Sequence, residues 1–489
     1  MSVLLRSVSL WALVAAAGTF AGTGMSPARA ADLGGDCCAD LEERVATLEA
    51  TTVRKGNKVV SLTLSGQVNR ALMWYNDGSG QRLTSVDNNN SSTRFRLQGD
   101  AKFAPGWSMG YYLEAEFITS NSFGTDQIES RRAISGVTAT TTGALSNGEG
   151  NSPLTLGLRQ SHWYVKSDQL GTVSIGRLST ASKDLIITDL SGSAVVANPD
   201  TRLVGSELFM RRTGAQDRAG LCAAGLGCTN SLRWSALVPG LDSYRFDGAR
   251  YDSPTLLGFT LSLAAGDNTR YDGALRFANE FNGFRIAAGV SYTVDQDEGL
   301  INGDNTSAPV FTLNTTGSKD QRTTRGVVSV LHVPTGLFAN GFVLNTQFQG
   351  TADITKGQVG GLGIQQRPDF KYYYVQGGLS KNWFGLGNTV LYGEYANGVD
   401  AIVGTALNTT TNQVALAPGG SNFLELTKSD VSIWGLGAVQ NINSAATELY
   451  LSYRHMSADI AGVTVKNGVA SSQSFEAVDI VMSGARIKF

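Results

Sequence analysis

The sequence predicts an all-β chain that closes into a transmembrane, antiparallel up-and-down β-barrel of about 16 strands. Three observations carry that prediction. Apolar and polar residues alternate one for one through segment after segment, as they do on a strand whose side chains point to opposite faces. The connections between those segments switch in turn between tight turns and loops that are mostly long and polar. After residue 30, no stretch approaches the roughly twenty apolar residues that a spanning helix needs, so a membrane-embedded chain must cross as a closed barrel.

Composition agrees with that class. Hydrophobic residues make up 42% and charged ones 16%, with 58 Gly, 10 Pro, 3 His and 4 Cys. Low charge with abundant Gly suits a β-rich chain with one face against something other than water.

Residues 1–30 read as a secretory signal. Arg6 gives a positive start, Val8 to Phe20 an apolar run too short to span a bilayer, and Ala28-Arg29-Ala30 a small-x-small cleavage site. These residues hold two arginines and no acid, so their removal takes the net charge from −2 to −4. That balance offers nothing to nucleic acid. Residues 31–57 form a separate N-terminal segment. Within it Leu41, Val45, Leu48 and Thr52 fall at alternating steps of four and three, with Glu42, Glu43, Arg44 and Glu49 outside, which is a short amphipathic helix with coiled-coil spacing. A helix this short is marginal alone. It either finds partner helices or a docking surface, the cell wall included, or remains a frayed lead-in.

The barrel occupies residues 58–489. Its first strand, near Val59 to Trp74, sets Leu62, Leu64, Val68 and Leu72 opposite Thr63, Ser65, Gln67 and Asn69. The clearest hairpin follows: Phe95, Leu97, Gly99, Ala101 and Phe103 alternate with Arg94, Arg96, Gln98, Asp100 and Lys102. After Ala104-Pro105-Gly106, Trp107, Met109, Tyr111, Leu113, Ala115 and Phe117 alternate with Ser108, Gly110, Tyr112, Glu114 and Glu116. Further strands are predicted near 153–167, 171–178, 243–252, 258–266, 271–281, 284–295, 326–334, 338–349, 369–381, 387–396, 430–441, 446–456 and 475–489. The stretch Asn230 to Val238 would make the count odd, and it is placed inside the long loop after the fifth strand.

Tight turns fall at 104–106, 168–171, 253–257, 282–283, 334–336, 383–387 and 441–445. Long polar loops fall at 76–91, 120–152, 179–242, 296–325, 350–368, 397–429 and 457–474, with 267–270 the one short exception. Short turns at one rim and long loops at the other describe an outer-membrane barrel. Barrels of this size enclose an aqueous channel, and charged residues lining strand after strand suit a wet lumen rather than a dry core. Trp74, Tyr75, Trp107, Trp163, Tyr164, Trp383 and Tyr395 lie near strand ends, where interfacial girdles form. The last strand stops at Phe489, free to close against the first.

Several stretches resemble the general porins of alphaproteobacteria. They are Asp36-Cys37-Cys38-Ala39-Asp40-Leu41-Glu42-Glu43-Arg44-Val45, Val60 to Asn69, Arg250-Tyr251-Asp252-Ser253-Pro254, Asn279 to Phe284, and the terminal Phe489. The resemblance implies a homotrimeric sixteen-stranded pore in the outer membrane of a Gram-negative bacterium, with its third long loop folded inward to narrow the barrel. Outer-membrane lipid would surround it, and small hydrophilic solutes and ions would pass through it.

A diffusion pore needs a narrow wet section with a fixed field rather than a nucleophile. The loop 179–242 is the candidate narrowing, carrying Lys183, Asp184, Asp189, Asp200, Arg202 and Glu207. Asp184 and Asp189 are expected to face Arg94, Arg96 and Arg159 on the wall, with Arg70 and Lys102 as further candidates. The alternative is that these aspartates only cap turns in an exposed loop. Cys222 and Cys228 are a candidate disulfide pinning the loop in an oxidising compartment. Cys37 and Cys38 are adjacent, so a bond between them would be strained, and inter-chain links or free thiols both stay open. His162, His332 and His455 lie far from both Cys pairs, so no metal site is expected, and no cofactor is called for. Nothing sets a nucleophile, base and orienter together, so an enzyme is not expected. A solute-specific channel, or a structural anchor acting through the N-terminal helix, is the alternative to a general pore. Spin labels stepped singly through 93–103 should report hydrocarbon and water at alternate positions; the same surroundings at both sets would overturn the barrel.

Overall fold

The computed structural model describes residues 60–118, 120–127, 155–213, 232–266, 270–295, 321–348, 368–402, 423–464 and 468–489, with short pieces at 315–316, 351–353, 364–366, 406–408 and 414–415. The signal, the N-terminal helix and all four cysteines lie outside them.

A closed antiparallel barrel of 16 strands fills the described residues. In chain order these are β1 (Thr63–Asn76), β2 (Arg94–Ala104), β3 (Trp107–Ile118), β4 (Thr155–Ser167), β5 (Gly171–Ser179), β6 (Arg245–Asp252), β7 (Phe259–Gly266) and β8 (Arg270–Phe281). The second half comprises β9 (Phe284–Asp295), β10 (Gln321–His332), β11 (Leu337–Phe348), β12 (Phe370–Lys381), β13 (Thr389–Val399), β14 (Phe423–Ile442), β15 (Thr447–Thr464) and β16 (Val478–Lys488). Each strand pairs with its sequence neighbours, and β1 pairs with β16 from Gln67↔Lys488 to Asn76↔Asp479. That seam removes the sheet edge, which lipid could not satisfy. At its lower end the Phe489 ring lies over Gly66, where an added Cβ would come within 2.5 Å of it.

The outer face is the apolar one. Leu64, Val68 and Leu72 of β1, Leu261 and Leu263 of β7, Leu275 of β8, Val290 of β9 and Leu449 and Leu451 of β15 are exposed, as a lipid-facing surface should be. Trp107, Phe281, Phe284 and Trp383 ring the short-turn rim, and Tyr271, Tyr292, Tyr373, Tyr395 and Trp434 lie towards the other. Tyr75 departs from its expected place in the girdle. It falls on the inward side of β1 and donates to the Asp126 carbonyl at 3.2 Å.

The interior is not uniformly wet. From β10 to β16 the inward residues are largely apolar, including Phe338, Phe342, Phe348, Phe370, Tyr372, Ile433 and Ile480. They pack against Leu185, Ile186, Val195, Leu208, Met210, Trp234 and Leu241 of the segment between β5 and β6. The expectation of charge along strand after strand therefore holds most fully for one sector of the wall, while in the other Arg325, Glu394, Glu448, Arg454 and Arg486 are set among apolar residues. There the barrel carries two apolar faces, one for lipid and one for its own loop.

Two further differences have local causes. A short strand, Gln81–Asp87, folds back on β1 over Arg70–Asn76, because β1 outruns the stretch of β2 that pairs with it. The Asn230–Val238 stretch does sit inside the loop, but Trp234–Leu237 forms one helical turn rather than a strand. Phe342 is 1% exposed between wall and loop. Phe342→Ala should cost about 3–5 kcal/mol through the cavity it leaves, read as a lower thermal midpoint in detergent. Val343→Ala on the lipid face should shift that midpoint far less.

Candidate pore constriction

The described parts of the long segment between β5 and β6, residues 180–213 and 232–244, run through the lumen and bond to the wall at several strands. The Ser182 amide donates to Asp272 Oδ1 on β8 at 2.7 Å, and the Leu190 amide to Ser329 Oγ on β10 at 3.0 Å. Asn340 of β11 donates to Asp189 Oδ1 at 2.9 Å, Gln376 of β12 to Ser193 Oγ at 2.8 Å, and Tyr372 to the Pro199 carbonyl at 2.9 Å. Arg454 of β15 holds the Thr201 carbonyl at 3.2 Å, and the Gly205 amide reaches the Ser122 carbonyl at 2.8 Å. On the return, Arg325 of β10 donates to the Leu241 carbonyl at 2.8 Å. Lys183 Nζ then meets Asp242 Oδ2 at 2.5 Å and ties the two ends of the segment together.

Wall arginines do much of this holding through backbone carbonyls. Arg276 donates to the carbonyls of Ala181 and Lys183 at 2.6 and 3.2 Å, and Arg250 to those of Ser179 and Thr180 at 3.2 and 3.0 Å. Shape matters as well: Gly289 on β9 lacks the Cβ that would stand 2.4 Å from Leu185 Cδ1.

None of these anchors lies on β2, β3 or β4, and that sector carries the charged cluster. Antiparallel register sets Arg94 opposite Glu116 and Arg96 opposite Glu114 on the inner face of β2 and β3. Arg159 arrives by a β-bulge. Glu114 pairs with Gln160 and Ala115 with Leu158, which leaves Arg159 as the extra residue. Its Nε donates to Glu114 Oε1 at 2.6 Å, and its Nη1 bonds Glu116 Oε2. Arg96 Nε donates to Glu114 Oε2 at 2.5 Å, and Arg94 Nη1 lies 3.6 Å from Glu114 Oε1. Tyr112 and Ser92 complete the set, donating to Glu114 at 3.2 Å and Glu116 at 2.8 Å. Glu114, 2% exposed at its side chain, is thus the hub of three guanidiniums, and a charge so buried is sustained only by such pairing.

The loop aspartates differ from one another. Asp184 adopts a left-handed backbone (φ 64°), which aspartate tolerates better than most residues. Its amide donates to Asp242 at 3.2 Å. Burial alone would push its carboxyl up, but Lys183, Arg245 and Arg159 hold it below the ordinary Asp value. Asp184 therefore lies within the field of the wall arginines. Asp242 shifts the other way: burial and then the Asp184 charge push it up, against Lys183. Asp189 spends both oxygens locally. It accepts from the amides of Ser191, Ser193 and Ala194 at 2.7, 2.9 and 3.0 Å, and from Asn340.

The remaining candidates are dispersed. Arg70 falls on the outward face of β1 with Val68 and Leu72, its Nη2 3.3 Å from Ser85 Oγ. Lys102 shares the Arg96 side of β2, near the short-turn rim. Arg202 pairs with Asp200 and Glu207 with Arg233, inside the loop itself. Glu114 and Glu116 are the members of the charged cluster that the sequence reading leaves unassigned. Counting outward from the Ala104–Gly106 turn would have set them opposite Arg96 and Arg94. The bulge at Arg159 has no such signal. Among the described residues, no group of three His, Cys, Asp or Glu side chains is placed to hold a metal.

Solved barrels are similar to this chain in outline. The anion-selective porin from Comamonas acidovorans is 17% identical, with 88% of this chain and 100% of that one covered and a TM-score of 0.48. OmpT of Vibrio cholerae is 11% identical, covering 89% and 99%, at 0.46. Salmonella typhi OmpF is 12% identical, covering 90% and 100%, at 0.44. No curated protein sequence matches the chain. The profile of the Gram-negative porins, however, matches residues 10–466. With the closed 16-strand barrel, that match identifies the chain as a member of the Gram-negative porin family, an outer-membrane channel for passive diffusion.

Proposed function

We propose that the channel is a general pore for small hydrophilic solutes and ions, narrowest where Arg94, Arg96 and Arg159, held by Glu114 and Glu116, face Asp184 on the inward loop. The observation that carries this reading is spatial. The loop's apolar bed lies on the wall from β10 to β16, and none of its anchors described above lies on β2, β3 or β4, where the guanidiniums gather. A fixed field across such a section lets polar solutes keep hydrogen-bonding partners as they pass. Asp189 belongs to the docking of the loop instead, since its oxygens serve a turn and Asn340.

Assembly as a homotrimer belongs to the same proposal. It is supported by the family resemblance and by Arg70, a charge on the outer face between Val68 and Leu72 that a neighbouring copy would shield from lipid.

Current through purified protein in a planar bilayer should rise linearly with voltage and with salt. Saturation by one solute would favour a specific channel, and no current a structural role. Asp184→Asn should move the reversal potential towards anions, changing the permeability ratio roughly two- to fivefold. Asp189→Asn should leave the reversal potential in place and increase current noise by loosening the loop.

Acid gives an independent check. A carboxylate held below its ordinary value stabilises the folded state above the unfolded-state pKa and loses that contribution only as pH falls through the folded value. The Asp184 contribution to selectivity, measured as the difference from Asp184→Asn, should therefore survive from pH 7 to about 4, the ordinary Asp range. Its disappearance near pH 5 would remove Asp184 from the field of the arginines.

A further inference from the structure

We propose that this pore prefers anions, and among them small oxyanions such as carboxylates and phosphate, which hydrogen-bond in passing to Arg96 and Arg159. The inference rests on the reading of the Arg94–Arg96–Arg159 sector as the narrowest section.

Its first ground is the local charge. Arg94, Arg96, Arg159 and Arg245 all act on Glu114, and Arg245 and Arg159 act on Asp184. Against those four guanidiniums stand four carboxylates: Glu114, Glu116, Asp184 and Asp87, the last buried beside Arg94 and bonded to the Thr93 amide. The nearby Lys183 and Asp242 cancel each other at 2.5 Å. The section is thus balanced in formal charge, and its sign is set by which of these groups reach the lumen inside low-dielectric walls, where a single exposed charge is felt strongly.

The second ground is which charges face water. The Glu114 side chain is 2% exposed, whereas those of Arg96 and Arg159 are 22% and 15% exposed. Glu116 is 27% exposed, but its Oε2 is already taken by Arg159 and Ser92. The acid at the hub therefore sits behind the cations that it holds.

The third ground is unused donors. Arg96 commits only Nε, to Glu114, and its Nη1 and Nη2 hydrogen-bond to no described residue. Arg159 commits Nε and Nη1, leaving Nη2 over. A guanidinium anchored by one edge with its terminal nitrogens unspent offers a planar fork that fits two oxygens of one anion better than a single spherical ion. Sharing with Glu114 keeps each contact weak, as conduction requires.

The test is bilayer recording on the full-length protein. In a potassium chloride gradient the reversal potential should carry the anion-preferring sign. Inorganic phosphate added to both sides should lower the chloride current saturably. Arg96→Gln and Arg159→Gln should each reduce the anion-to-cation permeability ratio roughly three- to tenfold and weaken the phosphate effect. Arg177→Gln removes the same charge from the outer face, where Arg177 pairs with Asp247 at 3.4 Å, and should change neither reading. Arg96→Lys keeps the charge without the fork, so it should retain the gradient response and lose much of the phosphate effect. It also keeps the test alive should Arg96→Gln fail to fold. A cation-preferring sign, a current indifferent to phosphate, or Arg96→Gln behaving like Arg177→Gln would overturn the proposal. Complete absence of current would instead overturn the pore itself.

Discussion

Hydrogen-bond closure in a solvent that offers none is the constraint on which this molecule depends. In hydrocarbon every backbone amide and carbonyl must find a partner within the protein. The seam between β1 and β16, with Phe489 laid over Gly66, is where that demand is met last. Once the sheet is sealed, alternation becomes compulsory: one side of each strand meets acyl chains and the other is enclosed. Everything chemically particular about the pore then concerns how the enclosed side is divided.

That division is unequal, and it explains why the charged cluster works where it does. Tyrosines, phenylalanines and aliphatic residues from β10 to β16 give the inward segment a dry bed, and arginines on β6, β8, β10 and β15 clasp its carbonyls. A loop docked so broadly cannot wander across the lumen. On β2, β3 and β4, where none of the anchors named above lies, a glutamate hub aligns guanidiniums that would otherwise repel one another. In the proposed constriction, apolar packing thus sets the aperture, and ion pairing sets its sign.

Much of this is legible in the sequence, for physical reasons that also mark where legibility ends. Strand positions follow from a period of two, and the rim assignment follows from turn length, so the barrel can be read directly, while the inward course of the long segment comes from the family resemblance. Arg94 and Arg96 are legible as luminal because Phe95 and Leu97 must face lipid. The inner bed is not, because an inward apolar residue beside an outward one produces a run without alternation, as in Gly341-Phe342-Val343-Leu344. Arg70 illustrates the converse: its charge suggests the lumen, while its parity with Val68 and Leu72 places it outside. Asp184 and Asp189 look equivalent as letters. Only the amides of Ser193 and Ala194 and the side chain of Asn340 distinguish a turn cap from a carboxylate in the field of the wall.

The bed for the inward segment has a bearing on how the chain assembles. Its anchors begin at Arg250 of β6 and extend to Arg454 of β15, and the side chains beneath it include Ile480 and Met482 of β16. A segment emerging after β5 therefore has no complete seat until the C-terminal end of the chain is present. Full seating of the segment thus requires the same C-terminal strands that seal the cylinder.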